Sequence, residues 1–279
     1  MKKTLVMGKI FAALAVMFLM STLVALPIFA AGKEITIKGS TTVLPIAQIA
    51  AEVYMDRNPD VDISVQGGGS GVGIASLIDK TTDIANSSRK IKNKEVEKAK
   101  SIGVDPFETV VAMDGIAVIV HPSNIKNYLT KQQIKDIYTG KTSNWSQIGG
   151  KDMRIVIISR DTSSGTFEAF ENLAIDKERV RPDALTTASN QAVVQTVGQT
   201  PGAIGYAGLG YLSRKVKTVS VDGVKCTRET IVDGSYPLAR PLYMYTNNAP
   251  AGEIKAFIDF VLSEEGQRLV EEEGFVGIR

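Results

Sequence analysis

The chain has 279 residues, a formal net charge of +2, one cysteine and one histidine. A lone cysteine, Cys226, excludes an intramolecular disulfide. With His121 the single histidine, Cys–His catalysis and a Cys/His zinc site are excluded as well. No run of Lys and Arg interleaved with aromatics marks a nucleic-acid face, so no nucleic-acid partner is expected.

Residues 1–31 read as a targeting segment. Lys2, Lys3 and Lys9 form a basic start, an apolar run spans Ile10 to Leu26, and Pro27 precedes Ala30, Ala31 and Gly32. This is the layout of a secretory signal cut after Ala30 or Ala31. The alternative is an uncleaved N-terminal anchor, for which the run is slightly short of the roughly 20 residues of a span. Either way the remainder is expected to work outside the cytoplasm, in a periplasm or at the cell exterior. Without the three lysines of the segment it carries a net −1. No cysteine follows the apolar run to carry a lipid.

The remainder opens with a strand over Glu34–Lys38, followed by Gly39-Ser40-Thr41-Thr42. Leu44, Ala47, Ala50 and Val53 recur at helical spacing. Asp62–Gln66 reads as a strand, and Gly67-Gly68-Gly69-Ser70-Gly71 leads into a helix through Ile74, Leu77 and Ile78. Asp83–Ala85 is a short buried strand ending in Asn86-Ser87-Ser88-Arg89, and Lys92–Ser101 a charged, solvated helix. The run Gly115–Val120 suits a buried strand, with His121 at its end. Thr130–Tyr138 is predicted helical, Arg154–Ile158 a strand. The segment Ser159-Arg160-Asp161-Thr162-Ser163-Ser164-Gly165-Thr166 then opens a helix carrying Phe167, Phe170 and Leu173 on one face. Residues 189–197 read as helix, Gly202–Tyr206 and Pro241–Tyr245 as strands, and Ile254–Gly274 as one long amphipathic helix.

Strands alternating with helices give an α/β class with mainly parallel pairing. There is no internal repeat and no Pro/Ser-rich linker, so two lobes joined by extended crossings fit better than tethered modules. The crossings fall near residues 115–121 and 236–243.

One pattern occurs three times: a strand ends, a short Ser/Thr/Gly segment follows, and a helix begins. The places are Gly39–Thr42, Gly67–Gly71 and Ser163–Thr166. A helix N-terminus offers unpaired N–H groups and the positive end of its dipole, hydroxyls add donors, and small residues let an ion approach. Three such ends at one point would hold an oxyanion, although each alone is also an ordinary capping sequence. No segment has the nucleotide P-loop spacing or the spaced glycines of a dinucleotide fingerprint. Arg160, just ahead of the third segment, can offer its guanidinium fork to two oxyanion oxygens; the alternative is a surface pair with Asp161.

The chain resembles the phosphate-binding proteins of high-affinity phosphate ABC importers, members of the periplasmic-binding-protein group. The matching residues are Gly39-Ser40-Thr41-Thr42 with Pro45, Gly67-Gly68-Gly69-Ser70-Gly71, and Arg160 followed by Ser164-Gly165-Thr166. Supporting matches are Asn144-Trp145 with Gly149-Gly150, and Pro201-Gly202-Ala203-Ile204-Gly205-Tyr206. The resemblance implies two lobes, each a mainly parallel sheet flanked by helices, joined by two crossover strands. Residues 32–117 with 239–279 would form the first lobe and residues 118–238 the second. It implies phosphate in the interlobe cleft, with Ser40, Thr41, Thr42, Ser70, Gly71 and Ser88 from the first lobe and Arg160, Ser164, Gly165 and Thr166 from the second. In the family an aspartate that accepts a hydrogen bond from a protonated phosphate oxygen follows the third strand. Here Ser88 stands at that position, so rejection of sulfate falls to Ser88, Asp83, Asp161 or another group. Arg89 either adds charge near the cleft or opens the Lys-rich helix at the surface.

The expected role is therefore a monomeric receptor that binds inorganic phosphate and delivers it to membrane permease and ATPase subunits. It would hold no metal or cofactor and catalyse nothing. The alternatives are a receptor for sulfate, molybdate or tungstate, and a secreted phosphatase; the acids Asp83, Asp114 and Asp161 lack the spacing of a metal cluster.

Overall fold

A computed structural model describes residues 33–279; the expected targeting segment, residues 1–31, lies outside them. In chain order come β1 (Lys33–Gly39), α1 (Leu44–Arg57), β2 (Val61–Gln66), α2 (Ser70–Ile78), β3 (Ile84–Ser87) and α3 (Asn93–Ser101). Next are β4 (Pro106–Val120), β5 (Tyr128–Leu129), α4 (Lys131–Thr139), β6 (Val156–Arg160), α5 (Gly165–Ala174), β7 (Leu185–Thr187), α6 (Asn190–Gln199) and β8 (Ala203–Gly208). The chain closes with β9 (Lys217–Thr218), β10 (Ser220–Val221), α7 (Arg228–Val232), β11 (Ala239–Asn247), α8 (Gly252–Leu262) and α9 (Glu264–Glu272).

The main sheet runs in the order β2-β1-β3-β11-β4-β8-β6-β7. Its two outer parts, β2-β1-β3 and β8-β6-β7, are parallel, as alternating strands and helices require. Its centre is antiparallel, where β11 pairs with both β3 and β4 and β4 pairs with β8. The α/β architecture is as expected, with the parallel pairing of the main sheet confined to its flanks and a separate parallel pair formed by β5 and β10.

Burial divides along the same line. One apolar core gathers Ile35, Ile37, Ala47, Ile84, Val111, Leu242, Met244, Phe257 and their neighbours. The other gathers Ile116–Val120, Ile134, Tyr138, Trp145, Phe170, Val193, Tyr206 and Leu238. Each fully buried aliphatic or Phe side chain contributes about 1.5–3 kcal/mol, so both halves have substantial cores. The strands that pass between them are β4, 15 residues long, and β11, 9 residues long. The apolar runs Gly115–Val120 and Pro241–Tyr245 are only the most hydrophobic stretches of these strands.

The Gly202–Tyr206 motif has a packing reason. A Cβ on Gly205 would lie 2.7 Å from Val197 and 2.8 Å from Val193, so only glycine lets α6 seat on β8. The Trp145 indole donates to the Gly202 carbonyl at 2.8 Å and joins the second motif to the first. At the C-terminus the expected single helix is two. Ser263 leaves helical geometry and its hydroxyl accepts the Gly266 N–H at 3.1 Å, which starts α9 afresh.

Candidate functional site

The parallel strands of both halves end toward one another, and the three Ser/Thr/Gly segments meet there. The first is reached through Gly39, at φ 137°, where a Cβ would stand 2.2 Å from the Asn86 carbonyl. The Ser40 N–H donates to that carbonyl at 2.8 Å, and the Ser40 hydroxyl accepts the Thr42 N–H at 3.1 Å. Gly68 and Gly69, at φ 134° and 99°, turn the chain into α2 so that Ser70 opens it. Ser164 caps α5 by accepting the Phe167 N–H at 3.2 Å, leaving Gly165 and Thr166 in the first turn, where N–H groups have no helical partner.

Ser40, Thr41, Thr42, Ser70, Ser88, Arg160, Ser164 and Thr166 are all buried and come together. The Thr42 and Thr166 hydroxyls, from opposite halves, are 2.8 Å apart. Arg160 donates to the Thr41 hydroxyl at 3.3 Å. The Ser88 N–H donates to the Ser70 hydroxyl at 3.0 Å, and the two hydroxyls are 3.3 Å apart. Gly165 abuts both serines: a Cβ there would lie 2.2 Å from Ser70 Oγ and 2.8 Å from Ser88 Oγ.

Gly71 departs from its expected role. Its N–H donates to the Ser163 carbonyl at 2.9 Å, while Ser163 Oγ donates to the Gly68 carbonyl at 3.0 Å. The Gly-rich turn therefore spends this amide on joining the two halves. A side chain on Gly69 or Gly71 would press into Ser163, which explains the glycines by close approach.

Arg160 is not a surface residue. It is 2% exposed, donates to the Thr187 and Ala188 carbonyls at 3.2 and 3.0 Å, and sits 3.6 Å from Asp161. The Tyr206 hydroxyl accepts its backbone N–H at 3.1 Å, so the Pro-Gly-Ala-Ile-Gly-Tyr motif ends by holding Arg160 in place. Burial pushes its pKa down, opposed by Asp161, and a guanidinium stays charged through such a shift.

Three further residues belong to the cluster and escaped the sequence. Asn190 Nδ2 donates to the hydroxyls of Thr41 and Thr42 at 3.1 and 3.0 Å. Its signal was present, because β7, Ser189 and α6 repeat the strand–hydroxyl–helix pattern a fourth time. Arg240, on β11, donates to the Thr42 and Thr166 hydroxyls at 3.3 and 3.0 Å. It also reaches the Ser88 and Gly165 carbonyls at 3.0 and 3.3 Å, spanning both halves. Asp114, on β4, holds Arg240 through contacts of 2.9 and 3.1 Å and accepts the Leu209 N–H at 2.9 Å. Burial pushes the Asp114 carboxyl up, with Arg240 and that N–H opposing it.

The other charges lie elsewhere. Asp83 accepts from the Thr36 N–H and hydroxyl at the far end of β3. Asp161 accepts the Ser163 N–H at 2.9 Å. Arg89 is neither a free cleft charge nor a surface one. It is 8% exposed, bidentate with Glu95 at 2.7 and 2.8 Å, and 2.9 Å from Glu168 of the opposite half, which Lys92 also meets at 2.7 Å. His121 follows β4 and bonds Ser123 at 2.8 Å. Among the described residues no three His, Cys, Asp or Glu groups could hold a metal, and no helix is long and apolar enough to cross a membrane.

This arrangement presents hydroxyls, helix-start amides and two guanidiniums to one buried point, a setting for a compact oxyanion. Comparisons with known proteins agree. Residues 30–265 match the PBP superfamily domain. The chain is 36% identical to the phosphate-binding protein PstS of Bacillus subtilis, over 89% of this chain and 82% of that one. It is 35% identical to PstS of Borreliella burgdorferi, over 88% and 91%. Its fold is similar to that of a Clostridium perfringens crystal structure described as a phosphate ABC transporter substrate-binding protein with bound phosphate. There the TM-score is 0.83 at 36% identity, covering 88% of this chain and 100% of that one. A Vibrio cholerae ABC-type phosphate transport receptor matches with a TM-score of 0.72 at 33% identity, over 87% and 99%.

Proposed function

We propose, since this chain belongs to the phosphate-binding-protein family of the PBP superfamily, that it is the extracytoplasmic receptor of a phosphate ABC importer. The observation that carries this is the meeting of Thr41, Thr42 and Ser70 with Arg160, Gly165 and Thr166 across the junction of the two halves. Phosphate would take hydrogen bonds from the hydroxyls of Ser40, Thr41, Thr42, Ser70, Ser88, Ser164 and Thr166 and from the first-turn amides of α5. The Arg160 and Arg240 guanidiniums balance its charge.

In this reading residues 32–117 and 239–279 act as one lobe and 118–238 as the other. Phosphate binds one lobe first and bridges to the second, and its preference for the closed arrangement supplies the free energy of closure. The closed form docks on a membrane permease served by a separate ATPase. Residues 1–31 direct export, by cleavage or as an anchor, and the receptor works as a monomer.

The chemistry favours binding over turnover. Among the described residues none of these seven hydroxyls donates to a carboxylate or imidazole, the arrangement that activates a nucleophile. Calorimetry of the mature protein with phosphate and sulfate tests the reading. Phosphate binding at micromolar concentration with weak sulfate competition is expected; no phosphate binding at that concentration overturns it, and tighter sulfate binding reassigns the ligand.

A further inference from the structure

A hydroxyl has two lone pairs and one proton, and what fills the lone pairs decides where the proton goes. Asn190 is fully buried, and its Oδ1 accepts the Gly208 N–H at 3.2 Å. That backbone donor fixes the amide orientation, because the flipped form would set two donors against each other. Nδ2 must then face Thr41 and Thr42, at 3.1 and 3.0 Å. Thr41 also receives Arg160 at 3.3 Å, and Thr42 receives Arg240 at 3.3 Å. Neither a carboxamide NH2 nor a guanidinium can accept. Both lone pairs of Thr41 are occupied, so its hydroxyl can only give its proton away. Of the two Arg240 Nη2 protons one goes to Asp114 at 2.9 Å and the other to Thr166 at 3.0 Å, shared with Thr42; in the Thr42–Thr166 pair, 2.8 Å apart, one hydroxyl proton joins the two and the other is left to give away.

We infer that Asn190 and Arg240 are positioning residues that fill lone pairs of Thr41, Thr42 and Thr166, so that Thr41 and the Thr42–Thr166 pair each direct one proton at an anion between the halves. This rests on the receptor reading and deepens it, by naming the groups that make this part of the site complementary to oxygens without protons. Arg240 does so from β11, where Asp114 aims its fork. Asn190 does so from the start of α6 and touches residues of both halves.

The discriminating change is Asn190→Asp, which keeps the shape and the Gly208 contact but turns a donor into an acceptor. Thr41 and Thr42 would then give their protons to the new carboxylate instead of to the anion. The measurement is calorimetry of the mature protein with inorganic phosphate from about pH 8 to about pH 5, beside melting without phosphate. Phosphate affinity of N190D should fall roughly 100-fold at the upper pH. Its deficit relative to wild type should shrink as pH falls and the introduced carboxyl gains a proton it can donate. N190A, which empties one lone pair per threonine without reversing any bond, should lose about tenfold with a pH-independent ratio. Wild-type affinity in either variant, or an N190D deficit equal to that of N190A at every pH, overturns the inference. If N190D fails to fold, N190A alone decides by the same criterion. Absence of phosphate binding by the wild-type protein is a different failure, which removes the receptor reading and this inference with it.

Discussion

Gly165→Ala separates binding from folding. Gly165 has no left-handed backbone, and alanine at a helix start is intrinsically favoured by up to about 1 kcal/mol, so the fold should not suffer. The added methyl nevertheless meets Ser70 Oγ at 2.2 Å, Ser88 Oγ at 2.8 Å and Ser70 Cβ at 2.9 Å. Ser70 Oγ could rotate away, but its Cβ cannot, so the halves must part by roughly 1 Å to restore ordinary contact. That carries the Thr42–Thr166 pair from 2.8 Å beyond hydrogen-bonding reach. Phosphate held by one half then lacks two or three charge-assisted bonds of about 1.5–3 kcal/mol each. A loss of ~4 kcal/mol is about a thousandfold in Kd. Calorimetry gives the affinity, small-angle scattering the compaction on adding phosphate, and melting without phosphate the stability. Unchanged melting with both binding and compaction lost is expected. Wild-type affinity with normal compaction would refute the claim that Gly165 is where the halves close.

Arg160→Ala should cost roughly 100-fold in phosphate affinity, whereas Arg89→Ala should cost only several-fold, because Arg89 is committed to Glu95 and Glu168; equal losses in calorimetry would contradict this ranking. Among the described residues the hydrogen-bond partner of Ser88 Oγ is Ser70 Oγ alone, so it keeps a lone pair for a phosphate proton. Ser88→Ala should lower the phosphate-over-sulfate preference about tenfold in a competition titration, and an unchanged preference would remove Ser88 from discrimination. Burial alone would push the Glu95 carboxyl up, but the bonds from Arg89 and the Lys92 N–H outweigh it and hold it below the ordinary range. A depressed carboxyl contributes stability above its unfolded pKa of about 4.3, and this is lost as pH falls through the folded value. Glu95→Gln should therefore flatten the acid side of a urea-midpoint profile; an unchanged slope would show that the pair is inert.

What the sequence revealed and what it hid differ in range. Gly39–Thr42, Ser70 and Ser164–Thr166 announce themselves locally, through residues that turn a chain and cap a helix within a few positions. Arg160 stands beside one such segment. Asp114 and Arg240 are 126 positions apart, and only the register of β4 against β11 makes them a pair. In the sequence each is a single charge bordering an apolar run. Gly71 misled for a related reason, since its amide meets Ser163 from the other half. Arg89 left two readings open, a cleft charge or a surface one, because its partner Glu168 comes from the distant α5. Features local in the chain were legible, and contacts between distant segments were not.

The placement of Arg240 on β11 has a mechanical consequence. β4 and β11 are the segments by which the chain passes between its halves, so the crossing where Asp114 and Gly115 pair with Arg240 and Ala239 is the fulcrum of any relative rotation. Asp114 and Arg240 sit at that fulcrum, and Arg240 touches the hydroxyl cluster directly. In the proposed receptor the load would thus be applied close to the pivot of a lever whose arms are the two halves. An ångström of movement at Thr42 and Thr166 becomes a larger sweep at the outer ends of the helices, where a docking partner can read a displacement that the ion itself could never produce by its size.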